Sequence, residues 1–216
     1  MFAERQPYIE EIIRRHIAVD KETPILDLGC GHGAFVYFLR LNGYRSVSGV
    51  DVSHEQVTYA RELGISGIIE GDLQEFLDNR ESGMTGVVLL WDILEHLTRE
   101  ESFAVLDEVF RVLYPGGKCI IHVPNAEGIF GMRIRYGDLT HEQSFTASSA
   151  RQLLKTIGFS EICAYEDKPV PHGIKSAVRR VIWDVGTVAH RLLLTAETSA
   201  RGFILSQNML VVAHKR

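Results

Sequence analysis

Short apolar runs, each closed by a turn residue, recur along the chain and alternate with stretches whose apolar positions fall three and four apart. The first pattern predicts buried strands at 24–29 (PILDLG), 46–51 (SVSGVD), 66–72 (SGIIEGD), 86–92 (GVVLLWD) and 117–124 (GKCIIHVP). The second predicts helices in the gaps. One is opened by Ser53 or His54 and ended by Gly64; another runs from about Glu100 to Leu113, with Phe103, Leu106, Phe110 and Leu113 on one face and YPGG as its stop. A helix is also expected within 1–22.

Strands alternating with helices pair in parallel through right-handed crossovers, so the expected fold is α/β, a doubly wound Rossmann-like sheet with helices on both faces. Ligands on such sheets sit beyond the carboxyl ends of the strands. Those exits are Gly29 to Gly33, Asp51, Asp72, Trp91 with Asp92, and Pro124 with Asn125.

The pattern changes after the fifth strand. Residues 125–146 (NAEGIFGMRIRYGDLTHEQSFT) form a connection longer than most, which marks a functional or disordered segment. A helix in TASSARQLLKTIGF, stopped by Gly158, and a sixth strand around FSEICAYE follow. From 172 to 196, Ile174, Val178, Val181, Ile182, Val185, Ala189 and Leu192 make an apolar stripe beside Lys175, Arg179, Arg180 and Arg191. Such a helix can touch a membrane surface peripherally, cover a substrate pocket or form a dimer seam; packing on the domain as a lid is the plainest outcome. The expected organisation is one domain: an N-terminal helix in 1–22, a cofactor-binding core at 23–168, the helical insertion at 169–200 and a last strand within 201–216.

The 216 residues, 45% of them hydrophobic, suffice for one core, and a formal charge of -5 gives no general attraction to nucleic acid. A small-molecule or glycan-type partner fits better. Cys30, Cys119 and Cys163 lack C-x-x-C spacing and are expected to be buried free thiols. No apolar run reaches the roughly 18 residues of a membrane span, so a soluble, cytoplasmic monomer or homodimer is expected.

In ILDLGCGHGAF, Gly29, Gly31 and Ala34 match G-x-G-x-x-[G/A], which by itself leaves the nucleotide open. Together with GVDVS about twenty residues on, GD at the third strand, LLWDILEHL at the fourth and LYPGGKCIIHVPN around the fifth, this resembles the class I S-adenosylmethionine-dependent methyltransferases. HEQSFTASSARQLLKTIGF is similar to the corresponding stretch of small-molecule and sugar O-methyltransferases. The resemblance implies a seven-stranded sheet with an antiparallel last strand, and S-adenosylmethionine as cofactor. It implies Asp27 near the methionine amino group, the backbone of Gly29, Cys30 and Gly31 against the ligand, Asp51 with Val52 at the ribose, and Asp72 with Leu73 at the adenine. Trp91 is placed near the sulfonium or the adenine. Plainer roles stay open: Asp51 as a helix cap, Asp27 as a turn brace, Trp91 as core packing and Cys30 without chemistry.

Methyl transfer is an in-line displacement, and a hydroxyl acceptor gains from a base. His141 is the first candidate, with Asp138 to orient it, and His96 the second. Asp92, Glu95 and His96 have i, i+3, i+4 spacing; with His141 they resemble the Glu-x-x-Glu-His set with which small-RNA 3'-terminal and some ubiquinone-pathway O-methyltransferases bind Mg²⁺. A turn with a capping acid is the plainer account. The expected acceptor is a hydroxyl of a sugar or sugar-containing precursor first, a quinone-like phenol second. An amine acceptor lacks the Asn/Asp-Pro-Pro-aromatic motif at WDILEH. A nicotinamide oxidoreductase lacks a substrate domain after Pro124, and a non-catalytic cofactor binder is disfavoured by the intact Asp27, Gly29, Gly31, Asp51 and Asp72.

Overall fold

The computed structural model describes residues 2–216. Seven strands, β1 (Ile25–Leu28), β2 (Val47–Asp51), β3 (Ile68–Glu70), β4 (Thr85–Trp91), β5 (Leu113–Pro124), β6 (Ser160–Glu166) and β7 (Asn208–His214), form one sheet in the order β3-β2-β1-β4-β5-β7-β6. The first five are parallel, and β7 runs antiparallel to both β5 and β6. This is the doubly wound Rossmann-like sheet expected, with its antiparallel end.

Alternation along the central strands feeds two cores. Leu26, Leu28, Val88, Leu90, Ile121 and Val123 face α4 (Leu73–Asp78), α5 (Arg99–Val112) and α7 (Ala147–Ile157), through Leu77, Leu106, Val109 and Leu154. Ile25, Val87, Leu89, Ile120 and Val212 face α1 (Gln6–Ile12), α2 (Ala34–Leu41) and α3 (His54–Glu62), through Ile9, Phe35, Phe38 and Val57. Caps set the helix starts: Ser53 opens α3, Asp72 opens α4, and Thr98 with Glu101 makes a capping box on α5.

Several expectations shift. The N-terminal helix is α1 followed by a π turn over Ile13–Ile17, and does not fill 1–22. The helix ends at Val112, just before YPGG as expected, but YPGG lies within a strand: β5 begins at Leu113, pairs there with Thr85 and resumes at Lys118 opposite Val87 after a register shift. The last strand starts only at Asn208, because Ile204, Leu205 and Ser206 instead bond to Asn125, Ile129 and Glu166. The long connection carries a short helix, α6 (Gly131–Arg135), and is pinned by Gln143, whose Nε2 donates to Leu97 O at 2.8 Å and Ser102 Oγ at 2.6 Å. Of the cysteines only Cys119 is buried; Cys163 is exposed on β6, which has one face open to solvent.

The insertion is two helices, α8 (Ile174–Gly186) and α9 (Val188–Thr198), joined at Thr187. Its apolar stripe does not pack down on the domain; Ile174, Val178, Val181, Ile182, Val185 and Leu192 are all exposed.

The turn after β1 is held by Gly29, Gly31 and Gly33 at φ of +67°, +53° and +80°. A Cβ on Gly29 would come within 2.0 Å of Ile93 Cδ1, whereas one on Gly64, at φ +73°, meets nothing within 4 Å. Gly64→Ala is therefore expected to cost about 1 kcal/mol from backbone strain alone. Gly29→Ala should lose at least ~1 kcal/mol more through overpacking. Denaturant titration of both variants checks this; equal losses would mean that Ile93 yields freely.

Candidate active site

On the α1–α2–α3 face, the carboxyl ends of β1, β4 and β5 carry polar or aromatic groups, Asp27, Trp91 and His122, where strand alternation demands inward-facing residues. Asp27 is 2% exposed, and its Oδ1 has no hydrogen-bond partner among the described residues. Burial, then the nearby Asp51 charge, pushes its carboxyl up to about 8, so it is protonated at neutral pH in the free protein. Relative to a free carboxyl, ionising it is disfavoured by roughly 6 kcal/mol, a penalty that a cation placed against Oδ1 offsets.

Asp51 ties the neighbouring turns together. Its Oδ2 accepts from the Gly31 amide at 2.7 Å and its Oδ1 from the Ser53 amide at 2.9 Å. The Cys30 amide donates to Val50 O at 3.0 Å, so Cys30 contributes backbone to the turn; its thiol is pushed up by burial and by Asp27 and Asp51, and is poorly nucleophilic. Val52 is exposed beside it. Asp72 Oδ1 accepts from the amides of Gln74 and Glu75 at 2.8 and 3.0 Å, capping α4 with Leu73 as the first helical residue.

Trp91 stacks on His122 with ring centroids 4.3 Å apart, and also meets Phe35 and Tyr8. These contacts are those of a packing residue. His122 itself was missed by the sequence reading. Its Nδ1 donates to Asp92 Oδ1 at 2.5 Å and its Nε2 to Asp167 Oδ2 at 3.3 Å. Burial opposes charge on the ring, but the hydrogen bonds and charges of Asp167 and Asp92 outweigh it and push the imidazole up to about 9. The available signal was a histidine at an inward position of an apolar strand; its partners, 30 and 45 residues away, carried none.

Asp92 is thereby separated from the cluster expected to include it. Its φ of +55° breaks the helical turn, and its carboxylate turns to His122. Glu95, His96 and His141 do come together, one candidate ligand atom of each lying within 4.8 Å of the others. Glu95 is 1% exposed, its Oε2 and His141 Nδ1 are buried without partners among the described residues, and burial pushes the Glu95 carboxyl up to about 8. Asp138 Oδ1 accepts the Thr140 hydroxyl hydrogen at 2.7 Å, so His96 Nδ1, 2.9 Å from Thr140 Oγ1, is the donor there. In neutral His96 the Nε2 lone pair is left to accept a proton or a metal.

A cavity of about 780 Å³ opens past the end of β5, between α1, α6, α8 and the start of β7. Ile129, Phe130, Ile134, Val170, Ile182 and Trp183 form its apolar walls, and Tyr8, Asp167 and Asn208 bring polar groups to it. His96 and His141 are not among its lining residues.

A model of the family described as a methyltransferase domain matches residues 1–164. The chain belongs to this methyltransferase family. A probable S-adenosylmethionine-dependent methyltransferase of Mycolicibacterium smegmatis is 30% identical over 140 residues, 62% of this chain and 51% of that one. A ubiquinone biosynthesis O-methyltransferase of Psychrobacter cryohalolentis is 26% identical over 137 residues, 56% of this chain and 52% of its own. The chain thus spans about half the length of these curated relatives. The crystal structure of an S-adenosylmethionine-dependent methyltransferase from Archaeoglobus fulgidus superposes with a TM-score of 0.72 at 20% identity, covering 96% of this chain and 93% of that one. That likeness concerns the fold.

The methyltransferase's own residues fit S-adenosylmethionine. The buried, unpartnered Asp27 oxygen suits an ammonium group, the glycine turn leaves backbone open to a ligand, and Asp51 and Asp72 stand at the next two strand exits.

If the cofactor's ammonium meets Asp27, binding of S-adenosylhomocysteine at pH 7 must displace the Asp27 proton. Calorimetry in buffers of different ionisation enthalpy is expected to show release of close to one proton, and affinity rising from pH 6 towards 8. Asp27→Asn should abolish the release and weaken binding at least about tenfold. Unchanged proton release in that variant would exclude the contact. Independently, the His122 ring should remain charged at pH 8 by NMR and titrate near 9; Asp92→Asn removes one carboxylate and should move the midpoint down.

Proposed function

We propose that this domain transfers the methyl group of S-adenosylmethionine to a hydroxyl oxygen of a small acceptor with an apolar body. The observation that carries the reading is the cavity beyond β5, whose exposed wall is mostly hydrocarbon and aromatic, although Glu4, Asp167, Lys168, His172, Arg179 and His190 also line it. Such walls favour a phenol of the quinone type over a bare sugar, reversing the order expected from the sequence. The Psychrobacter relative, a ubiquinone biosynthesis O-methyltransferase, is consistent with that choice.

The cavity takes the acceptor's apolar body; its hydroxyl end has to reach beyond the cavity lining to the Glu95–His96–His141 cluster, where the proton goes to His141 as the base. Its buried, unpartnered Nδ1 supports this. Asp92, fixed by His122, is a positioning residue between cofactor turn and acceptor: its neighbour Ile93 packs against Gly29, and the Asp167 on the other side of His122 lines the cavity. A second reading is favoured by the closeness of the three ligand atoms: Glu95, His96 and His141 would hold a divalent cation such as Mg²⁺, which would supply Lewis-acid activation of the acceptor hydroxyl.

Transfer of labelled methyl to catechol-type phenols is the test. His141→Ala is expected to lower kcat about 100-fold while leaving S-adenosylhomocysteine affinity nearly unchanged. Full rate in that variant at saturating acceptor removes His141 as base. Loss of the wild-type rate in chelator, restored by Mg²⁺, selects the metal reading, and methylation of amines alone contradicts the oxygen acceptor.

A further inference from the structure

Helices α8 and α9 turn their polarity inside out. Their buried side of the chain is Ser176 and the junction residue Thr187, while Val181, Ile182, Val185 and Leu193 are 60, 65, 69 and 70% exposed. The stripe is continuous. Thr187 N donates to Trp183 O and Arg191 N to Thr187 O, carrying helical hydrogen bonding across the junction, so Ile174, Val178, Val181, Val185, Val188 and Leu192 follow one another at three- and four-residue steps. Phe130 and Met132, at the start of α6, are also exposed, and Phe130 and Ile182 line the cavity as well. The apolar surface therefore borders the cavity.

Charge on this segment is predominantly positive. Residues 168–201 hold six Lys and Arg against two Asp and Glu, in a chain with 23 against 28. Lys168, Arg180 and Arg191 are spent on Glu166 and Asp184, pairs that fix the helices against the end of β6. Lys175, Arg179 and Arg201 are exposed and make no ion pair among the described residues, and Arg133 on α6 joins them. No helix among the described residues is long and apolar enough to cross a membrane. An apolar stripe flanked by unneutralised cations is the composition of a helix lying in a lipid–water interface.

We propose that α8, α9 and the start of α6 form a docking face for an anionic lipid bilayer, with the stripe at the headgroup–acyl boundary and Lys175, Arg179, Arg201 and Arg133 on lipid phosphates. A second copy on this face would set like charges against each other, and a nucleic acid would leave the stripe in water. Docking stands on the surface alone. That the acceptor enters the cavity from the bilayer rests on the apolar acceptor proposed above.

Flotation with vesicles of phosphatidylcholine, with and without phosphatidylglycerol, tests docking in the absence of cofactor and acceptor. The protein is expected on the anionic vesicles, less so in high salt, and the double variant Val181→Asp, Val185→Asp should bind at least about tenfold more weakly. Lys175→Glu should weaken binding without touching the stripe. Retained S-adenosylhomocysteine affinity shows that the variants fold. Absence from both vesicle types, equal binding by the double variant, or a dimer in sedimentation that the double variant abolishes would overturn the proposal. A protein that docks but methylates no apolar phenol would overturn the acceptor reading alone.

Discussion

A parallel sheet covered on both faces offers no water to a polar side chain, so every ionisable group that alternation points inward needs a partner. Two such groups stand at the strand ends here, and they meet the constraint differently. His122 is answered inside the chain by Asp92 and Asp167 and stays charged. Asp27 is not answered, and holds its proton near neutrality beside a glycine turn open to a ligand. An unpaired buried carboxylate is costly, and a cationic ligand is the group that turns the cost into affinity.

The rest of the site is arranged around that turn. Asp51 draws the β1 and β2 exits together through the Gly31 and Ser53 amides. Ile93 fills the space left by the missing side chain of Gly29, which links the cofactor turn to the residues after β4. From there Asp92 leads through His122 to Asp167 at the cavity, and Glu95 and His96 lead to His141 in the loop pinned by Gln143. On the proposed reading, the cofactor turn and the acceptor groups meet in one short segment of backbone.

The core strands were legible because buried parallel strands are short apolar runs, and the order of motifs named the fold class. What stayed hidden depended on long-range geometry. The register shift that lets β5 start at Leu113 lies in its pairing with β4, not in YPGG itself. Spacing put Asp92 with Glu95 and His96, but a positive φ at Asp92, which spacing cannot express, sent its carboxylate to His122. Asp72 stands at a strand exit as read, yet one of its oxygens caps α4. Periodicity in 172–196 showed which residues share a face; it could not say that the face points outward, since that depends on Glu166, which binds Arg191 and Lys168 from another strand.

The central claim is that the glycine turn holds S-adenosylmethionine. Its most direct test is calorimetric titration of ligand-free protein with S-adenosylhomocysteine and, separately, with NADH. The account predicts saturable one-to-one binding of S-adenosylhomocysteine and none of NADH; binding of NADH alone would contradict it and point to hydride transfer.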